Sequence, residues 1–155
     1  NNYCLFNQRK RSENEVGGMK RETEQSFSVL IADDDPGCRE TLQDIVQSEG
    51  YNALVASSGE EAIEIIQGHP IHVALFDMHM PRMTGLETME IVHQFNAILP
   101  CILVTADANE EVMRQAFRVR AYSVIPKPVS KNILLYTMLK ALMKVYGKMM
   151  GPEPE

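Results

Sequence analysis

The stretch VALFDMHMPRMTGLE, residues 73–87, decides the fold. A short apolar run ends at the carboxylate of Asp77, and a loop with Pro81 and Gly85 then leads into a helical pattern. Short apolar runs that alternate with helical segments are typical of a parallel sheet with helices on its faces. The stretch therefore predicts one strand–helix unit of such a sheet.

Three other apolar runs also end at a reactive polar group. SVLIA precedes Asp33 and Asp34, CILV precedes Thr105, and AYSVIP precedes Lys127. Ligands of parallel α/β sheets bind beyond the carboxyl ends of the strands, so we expect these groups to meet Asp77 in one crevice. Carboxylates held that close repel each other unless a cation joins them, and Mg²⁺ prefers hard oxygen ligands. The pattern predicts a Mg²⁺-dependent phosphate site with Asp77 as the nucleophile.

The rest of the chain predicts five strand–helix units. Strands are expected at about 28–32, 52–56, 72–76, 100–104 and 122–125, and the last helix at about 130–148. Asp35 is predicted to cap the first helix, with Pro36 at its first position. Ser58 and Glu61 predict a capping box for the second helix. The predicted class is an α/β doubly wound parallel sheet.

Length and composition indicate one domain. The 155 residues are 45% hydrophobic, which suits a single core that buries about two-thirds of the surface of the unfolded chain. Residues 1–26 are polar and of mixed charge, so we expect a flexible N-terminal tail. Residues 27–148 are expected to form the domain, and residues 149–155 a C-terminal tail or the start of a linker.

Charge and cysteine usage narrow the functional classes. The formal net charge of −6 argues against direct binding of nucleic acids or anionic membranes by this domain. Cys4, Cys38 and Cys101 lack metal-ligand spacing and are expected to be reduced thiols of a cytoplasmic protein. The sequence contains neither an apolar run of the roughly 20 residues that span a membrane nor an opening signal peptide.

Residues 27–147, approximately, resemble the receiver domain of bacterial two-component response regulators, the CheY-like family. The matching segments occur in the order and spacing of that family: VLIADDDPGCRETL, SSGEEAIEII, VALFDMHMPRMTGLE, CILVTADA and VIPKPV. The resemblance implies a flavodoxin-like sheet of five parallel strands in the order 2-1-3-4-5, with five helices on its two faces. It also implies a phosphoacceptor that is loaded by a histidine kinase or phosphotransfer protein and signals through helix 4, strand 5 and helix 5.

The resemblance assigns the acidic residues their roles. Asp77 matches the phosphoacceptor, whose carboxylate attacks the phosphoryl group of a phosphohistidine donor. Asp34 matches the residue that holds Mg²⁺ directly, and Asp33 matches its partner, which acts largely through water. The backbone carbonyl of His79 is expected to supply another oxygen ligand to the metal.

The remaining site residues are assigned in the same way. Thr105 and Lys127 match the hydroxyl and the ammonium that hold the phosphoryl oxygens, and the Lys127–Pro128 bond matches one that is cis in the family. The side chains of His79 and Asp107 are expected to flank the path of hydrolytic water. The protein is expected to assist its own phosphorylation and dephosphorylation, and not to act on other substrates.

Two positions depart from the family pattern. Val124 stands three residues before Lys127, where the family usually has Phe or Tyr; Tyr122, on the same side of a period-2 strand, is the candidate to replace that aromatic ring. Arg120 precedes Ala121 at a position where the family usually has Gly, which changes the turn into strand 5.

Helix 5 has more apolar residues than a helix docked on a sheet needs. Its apolar positions cover roughly 200° of the helix, about twice the arc that docking requires. The surplus stripe comprises Leu135, Leu139, Met143, Tyr146 and Met150. We expect a second copy of the chain or an output partner to cover it.

Two alternatives differ in class from a phosphoacceptor. The first is a receiver-like module that binds partners without phosphorylation, and Val124 favours it. The second is an aspartyl-nucleophile phosphatase of the haloacid-dehalogenase type. That family needs Asp-x-Asp-x-Thr/Val after strand 1, and the stretch from Asp33 places Gly37 where the hydroxyl residue or valine belongs, which argues against a phosphatase.

Overall fold

A computed structural model of the protein describes residues 26–149. The elements are β1 (Ser28–Ala32), α1 (Pro36–Ser48), β2 (Asn52–Ala56), α2 (Gly59–Gly68), β3 (Val73–Asp77), α3 (Gly85–Phe95), β4 (Cys101–Thr105), α4 (Glu110–Arg118), β5 (Ser123–Pro126) and α5 (Lys131–Tyr146), followed by a 3₁₀ turn (Gly147–Met149). Nearly all of both predicted tails lies outside the described residues. No helix within 26–149 is long and apolar enough to cross a membrane.

The five strands form one parallel sheet in the order β2-β1-β3-β4-β5, which confirms the predicted fold. Strand side chains alternate between the two faces, so each face has its own core. Val29 and Ile31 pack with α1 and α5, whereas Leu30 and Ala32 pack on the opposite face with α2, α3 and α4. The doubly wound arrangement follows directly from strands that are apolar on both sides.

Three strands lie one residue later than predicted. The sequence predicts strands at 72–76, 100–104 and 122–125, but β3, β4 and β5 each begin and end one residue later. Asp77 pairs in register with Val104, and Thr105 pairs with Pro126. Asp77 and Thr105 are therefore the last residues of rigid strands. The last helix, expected at 130–148, is also shorter, because a 3₁₀ turn follows Tyr146.

The predicted caps are confirmed in part. Asp35 accepts a hydrogen bond from the Cys38 backbone N–H at 3.0 Å, and Pro36 opens α1. Ser58 accepts one from the Glu61 N–H at 3.2 Å, but the Glu61 carboxylate bonds Ser57 and does not close a capping box. A complete capping box is present instead at Thr84 and Glu87, at the start of α3.

The surplus stripe predicted on α5 is partly wrong. Leu139 and Met143 are exposed, but Leu135 is half-buried and Tyr146 packs against the core; Met150 lies outside the described residues. The exposed apolar side chains of α5 are Ile133, Tyr136, Leu139 and Met143.

Tyr146 is drawn inward by an aromatic cluster at the amino end of the sheet. Its ring and those of Phe27 and His72 lie 5.0–5.8 Å apart between centroids. The Tyr146 hydroxyl donates to the His72 carbonyl at 3.1 Å, and the Ser28 N–H donates to His72 Nδ1 at 2.9 Å. The cluster thus joins β1, the residue before β3 and the end of α5.

This geometry predicts a pH dependence of stability. Burial lowers the pKa of His72 below its ordinary value of 6.5, and a protonated Nδ1 cannot accept the Ser28 N–H. The neutral ring stabilises the fold, so its contribution is present above about pH 6.5 and is lost as the pH falls through the lowered pKa. We expect His72→Gln to lower the free energy of unfolding by about 1 kcal/mol near neutral pH.

The test is urea unfolding of the wild type and the variant at mildly alkaline and mildly acidic pH. The difference in the free energy of unfolding between the wild type and the variant should be smaller at the acidic pH. His69→Gln, at an exposed histidine, is the matched control and should show no pH-dependent difference. Equal differences at both pH values for His72→Gln would contradict the prediction.

Candidate functional site

The predicted site residues meet at the carboxyl edge of the sheet. Asp33 and Asp34 directly follow β1, Asp77 ends β3, Thr105 ends β4, and Lys127 directly follows β5. Because parallel strands end at the same edge, five positions spread over 94 residues of sequence form one crevice.

Lys127 joins the two buried carboxylates of this crevice. Its Nζ donates to Asp33 Oδ2 at 3.0 Å and to Asp77 Oδ1 at 3.1 Å. The side chains of Asp33 and Asp77 are only 1% and 8% exposed. Two carboxylates this buried need a neutralising partner, and the ammonium supplies it.

Asp33 is held from several directions. Its Oδ1 accepts the Asp35 N–H at 2.9 Å, and its own N–H donates to the Ala56 carbonyl at 3.1 Å. Arg39, from the first turns of α1, donates to the Asp33 carbonyl at 2.8 Å. Arg39 is not among the predicted site residues, although its place one helical turn after the cap Asp35 brings it to the end of β1.

Asp34 is exposed and completes a group of three carboxylates. Oxygens of Asp33, Asp34 and Asp77 all lie within 4.8 Å of one another. Three negative charges and the one positive charge of Lys127 leave a local charge of −2. Hard oxygen donors and this charge suit a divalent cation such as Mg²⁺, so the residues present fit the predicted metal.

The environment shifts the pKa values of Asp77 and Lys127 in the same direction. Burial raises the pKa of Asp77, and the neighbouring Asp33 adds to this effect while Lys127 opposes it. Burial alone would lower the pKa of Lys127, but its hydrogen bonds to Asp33 and Asp77 outweigh burial and raise it. The ammonium therefore stays charged, whereas the Asp77 carboxylate depends on positive charge beside it.

Thr105 and Lys127 are positioned by the backbone. The Lys127 N–H donates to the Thr105 carbonyl at 2.8 Å, and the Lys127–Pro128 bond is cis, as predicted. The Thr105 side chain is buried, and its hydroxyl oxygen accepts the Asp107 N–H at 3.0 Å.

His79 and Asp107 form a bridge across the mouth of the crevice. His79 Nε2 lies 2.9 Å from Asp107 Oδ2, and both side chains are largely exposed. Each residue follows a strand end by two positions, so the bridge joins the loop after β3 to the loop after β4. The expectation that both side chains flank the path of hydrolytic water stays a prediction.

Gly85 allows α3 to start beside the nucleophile. A Cβ at this position would collide with the carbonyl oxygen of Asp77, and the Gly85 N–H donates to the Met78 carbonyl at 3.0 Å. Any larger residue would push α3 away from the end of β3.

Tyr122 does not replace the missing aromatic ring, so that prediction is wrong. Val124 packs on the face that carries α4, whereas Tyr122 packs on the face that carries α5. Tyr122 does not follow the alternation of β5, because β5 begins at Ser123 and Tyr122 precedes it.

Comparison with known proteins agrees with this geometry. The model of the response regulator receiver domain matches residues 29–139. The chain belongs to the response regulator receiver family. A crystal structure of a CheY-like response regulator receiver domain protein from Methanospirillum hungatei superposes with a TM-score of 0.76 at 28% identity, over 80% of this chain and 99% of that one.

In two related proteins the matching region is part of a longer chain. Response regulator RR06 of Streptococcus pneumoniae is 34% identical over 120 residues, which are 77% of this chain and 54% of that protein. Sensor histidine kinase RcsC of Salmonella typhimurium is 31% identical over 110 residues, 71% of this chain and 12% of that protein. The chain therefore spans about half the length, or less, of these relatives.

The Lys127 bridge predicts a stability effect. Lys127→Met leaves two buried carboxylates without their cation and should lower the free energy of unfolding by about 3 kcal/mol. Mg²⁺ should restore part of the loss, because it neutralises the same carboxylates. The measurement is urea unfolding with and without Mg²⁺.

Lys140→Met, at an exposed lysine of α5, is the matched control and should change stability little. The prediction is contradicted if the two variants lose equal stability. It is also contradicted if Mg²⁺ does not change the stability lost in Lys127→Met. Either result would show that Lys127 does not stabilise the site.

Proposed function

We propose that this receiver domain accepts a phosphoryl group on Asp77, with Mg²⁺, from a histidine kinase or phosphotransfer protein. The observation that supports this most is the Lys127 ammonium between Asp33 and Asp77. The complete set of acidic, hydroxyl and ammonium groups favours a phosphoacceptor over a phosphate-independent interaction module. The similarity to a region of a sensor histidine kinase is consistent with a place in phosphorelay signalling.

The proposed reaction transfers a phosphoryl group from a histidine nitrogen of the donor to a carboxylate oxygen of Asp77. An Asp77 carboxylate oxygen attacks phosphorus, the phosphorus–nitrogen bond of phosphohistidine breaks, and the imidazole of the donor leaves. Mg²⁺ would be held by Asp34, Asp77 and the His79 carbonyl, with Asp33 largely through water, and supplies the charge that lets two anions approach. Thr105 and Lys127 would bind the phosphoryl oxygens.

The same transfer provides a signal. Lys127 bonds two carboxylates before phosphorylation, and a phosphoryl group offers it a new partner with greater negative charge. A ligand shifts a conformational equilibrium only through contacts that differ between the two states, and the Lys127 ion pair is the largest such contact. Val124 has too little volume to act as a rotating aromatic switch, so the signal is proposed to pass to α4, β5 and α5 through Lys127.

Partners are proposed to bind the face formed by α4, β5 and α5, including the outer side of α5. The exposed side chains Ile133, Tyr136, Leu139 and Met143 form an apolar strip suited to a second subunit or an output partner. The domain is proposed to work in the cytoplasm without direct contact to nucleic acid or membrane.

Phosphorylation can be tested by mass. We expect the wild type, incubated with acetyl phosphate and Mg²⁺, to gain the mass of one phosphoryl group, and Asp77→Asn to gain none. Asp34→Ala should also gain none while its fold stays intact, because Asp34 is exposed and its loss removes repulsion. Intact-mass spectrometry and circular dichroism are the two measurements.

Asp44→Asn, at an exposed carboxylate of α1, is the control and should be phosphorylated normally. Normal phosphorylation of Asp77→Asn would assign the acceptor elsewhere, and normal phosphorylation of Asp34→Ala would remove that residue from the metal site.

The His79–Asp107 bridge predicts control of the phosphoryl lifetime. His79→Ala or Asp107→Ala opens the mouth of the crevice to water. Loss of one hydrogen bond of about 1 kcal/mol corresponds to a change of about fivefold in rate, so the decay rate should change by that factor while the loading rate stays similar. Time-resolved intact mass after removal of acetyl phosphate measures both, with His69→Ala as control. An unchanged decay rate in both variants would rule out this gating role.

A further inference from the structure

Asp34 has no side-chain contact that fixes its direction. Across the described part of the chain, its carboxylate has no hydrogen-bond or ion-pair partner, and it is exposed. Asp33 and Asp77, in contrast, are both bonded to Lys127. The carboxylate of Asp34 is therefore directed by the backbone on either side of it and by its own rotamer.

Two hydrogen bonds fix that backbone. The carbonyl of Asp33 accepts from Arg39 Nη1 at 2.8 Å, which holds the peptide group before Asp34. The N–H of Asp35 donates to Asp33 Oδ1 at 2.9 Å, which holds the peptide group after Asp34. Since each peptide group is planar, these two bonds together set both backbone dihedral angles of Asp34. The first of them comes from a different element, α1.

Arg39 is well placed to hold this peptide group. Its backbone N–H donates to the Asp35 carbonyl at 3.0 Å, so its base belongs to the first turn of α1. That helix is anchored by the buried side chains of Leu42 and Val46. Arg39 is half-buried and, among residues 26–149, no carboxylate lies within ion-pair distance of it. Its charged donor is thus committed to the Asp33 carbonyl.

The charge and the hydrogen bond of Arg39 act on a cation in opposite directions. A positive side chain close to the crevice repels Mg²⁺. The hydrogen bond instead keeps the Asp34 carboxylate beside the other two acidic groups, with oxygens within 4.8 Å of one another. A ligand that is already held in place loses less conformational entropy on binding. Because Asp34 is exposed, solvent screens the repulsion, and we expect the hydrogen bond to have the larger effect.

We propose that Arg39 is a positioning residue of the metal site. By fixing the peptide group between Asp33 and Asp34, it aims the Asp34 carboxylate at the cation, and it does not itself touch the metal. This role rests on the Mg²⁺ site proposed above and adds to it a residue from α1. A residue that holds a metal ligand in this way typically contributes about tenfold or more to metal affinity.

Two other roles for Arg39 predict different results. If Arg39 only stabilised the start of α1, its loss would lower the stability of the fold and leave the Mg²⁺ affinity of the folded chain unchanged. If Arg39 acted only through its charge, its loss would raise that affinity. The Mg²⁺ affinity of the folded chain therefore separates all three roles.

The test is a Mg²⁺ titration of the unphosphorylated full chain. The sequence contains no tryptophan whose fluorescence could report binding, so binding is followed by the shifts of backbone amide signals in nuclear magnetic resonance spectra of isotope-labelled protein. Arg39→Met keeps an aliphatic side chain without a donor and should bind Mg²⁺ about tenfold more weakly. Arg39→Lys retains a charged donor and should recover part of that affinity.

A second measurement needs no metal. Without the Arg39 bond, the peptide group before Asp34 is free to turn, which weakens the bond from the Asp35 N–H to the Asp33 carboxylate. The amide hydrogen of Asp35 should therefore exchange with solvent about tenfold faster in Arg39→Met than in the wild type. Urea unfolding of the same samples measures the stability of the whole domain and shows whether the change is local.

Matched variants complete the test. Arg118→Met removes an exposed arginine of α4 and should change neither the Mg²⁺ affinity nor the exchange of the Asp35 amide. Asp34→Ala removes the proposed ligand and should lose Mg²⁺ binding. Arg39→Gln, whose side chain is too short to reach the Asp33 carbonyl, should behave as Arg39→Met does, and it replaces that variant if the methionine variant does not fold.

The role of Arg39 is overturned if Arg39→Met binds Mg²⁺ as tightly as the wild type or more tightly, or if Arg118→Met weakens binding equally. An unchanged exchange rate of the Asp35 amide in Arg39→Met also overturns it. Mg²⁺ binding that Asp34→Ala abolishes and Arg39→Met leaves unchanged removes only the role of Arg39. A wild-type chain that binds no Mg²⁺ removes the proposed metal site together with that role.

Discussion

The structure at the carboxyl edge of the sheet depends on one ammonium between two buried carboxylates. Asp33 and Asp77 come from adjacent strands and would repel each other in a region of low dielectric. Lys127 neutralises both at 3.0 and 3.1 Å, and its backbone is fixed by the bond to Thr105. The arrangement leaves a local charge of −2, which suits the divalent cation proposed for this site. The same four charges thus determine both the stability of this edge and its fit to a cation.

The carboxyl edge of the sheet is locally unfavourable in free energy, and the rest of the fold offsets this cost. Like charges are crowded there, and α3 starts against the Asp77 backbone only because residue 85 is glycine. The strands below are apolar on both faces and form four adjacent pairs in one sheet. Such a core tolerates a few unfavourable charges at its end, because burial of apolar surface supplies most of the free energy of folding.

The two ends of the sheet serve different purposes. At the carboxyl end, short polar residues project from rigid strands into a crevice. At the amino end, Phe27, His72 and Tyr146 join β1 to the end of α5. Lys127 lies at the start of the segment that leads into α5, and α5 runs from there back to the aromatic cluster at the amino end of the sheet.

Apolar periodicity and the position of polar residues after strands are local properties of the chain. They are sufficient to predict the fold class, the order of the elements, the caps at Asp35 and Ser58, and the residues of the acidic site. Tertiary structure alone decided which carboxylate is buried, because Asp33 and Asp34 are neighbours in sequence but differ in their contacts. It also decided that Tyr146 turns inward, since Phe27 and His72 are distant in the chain.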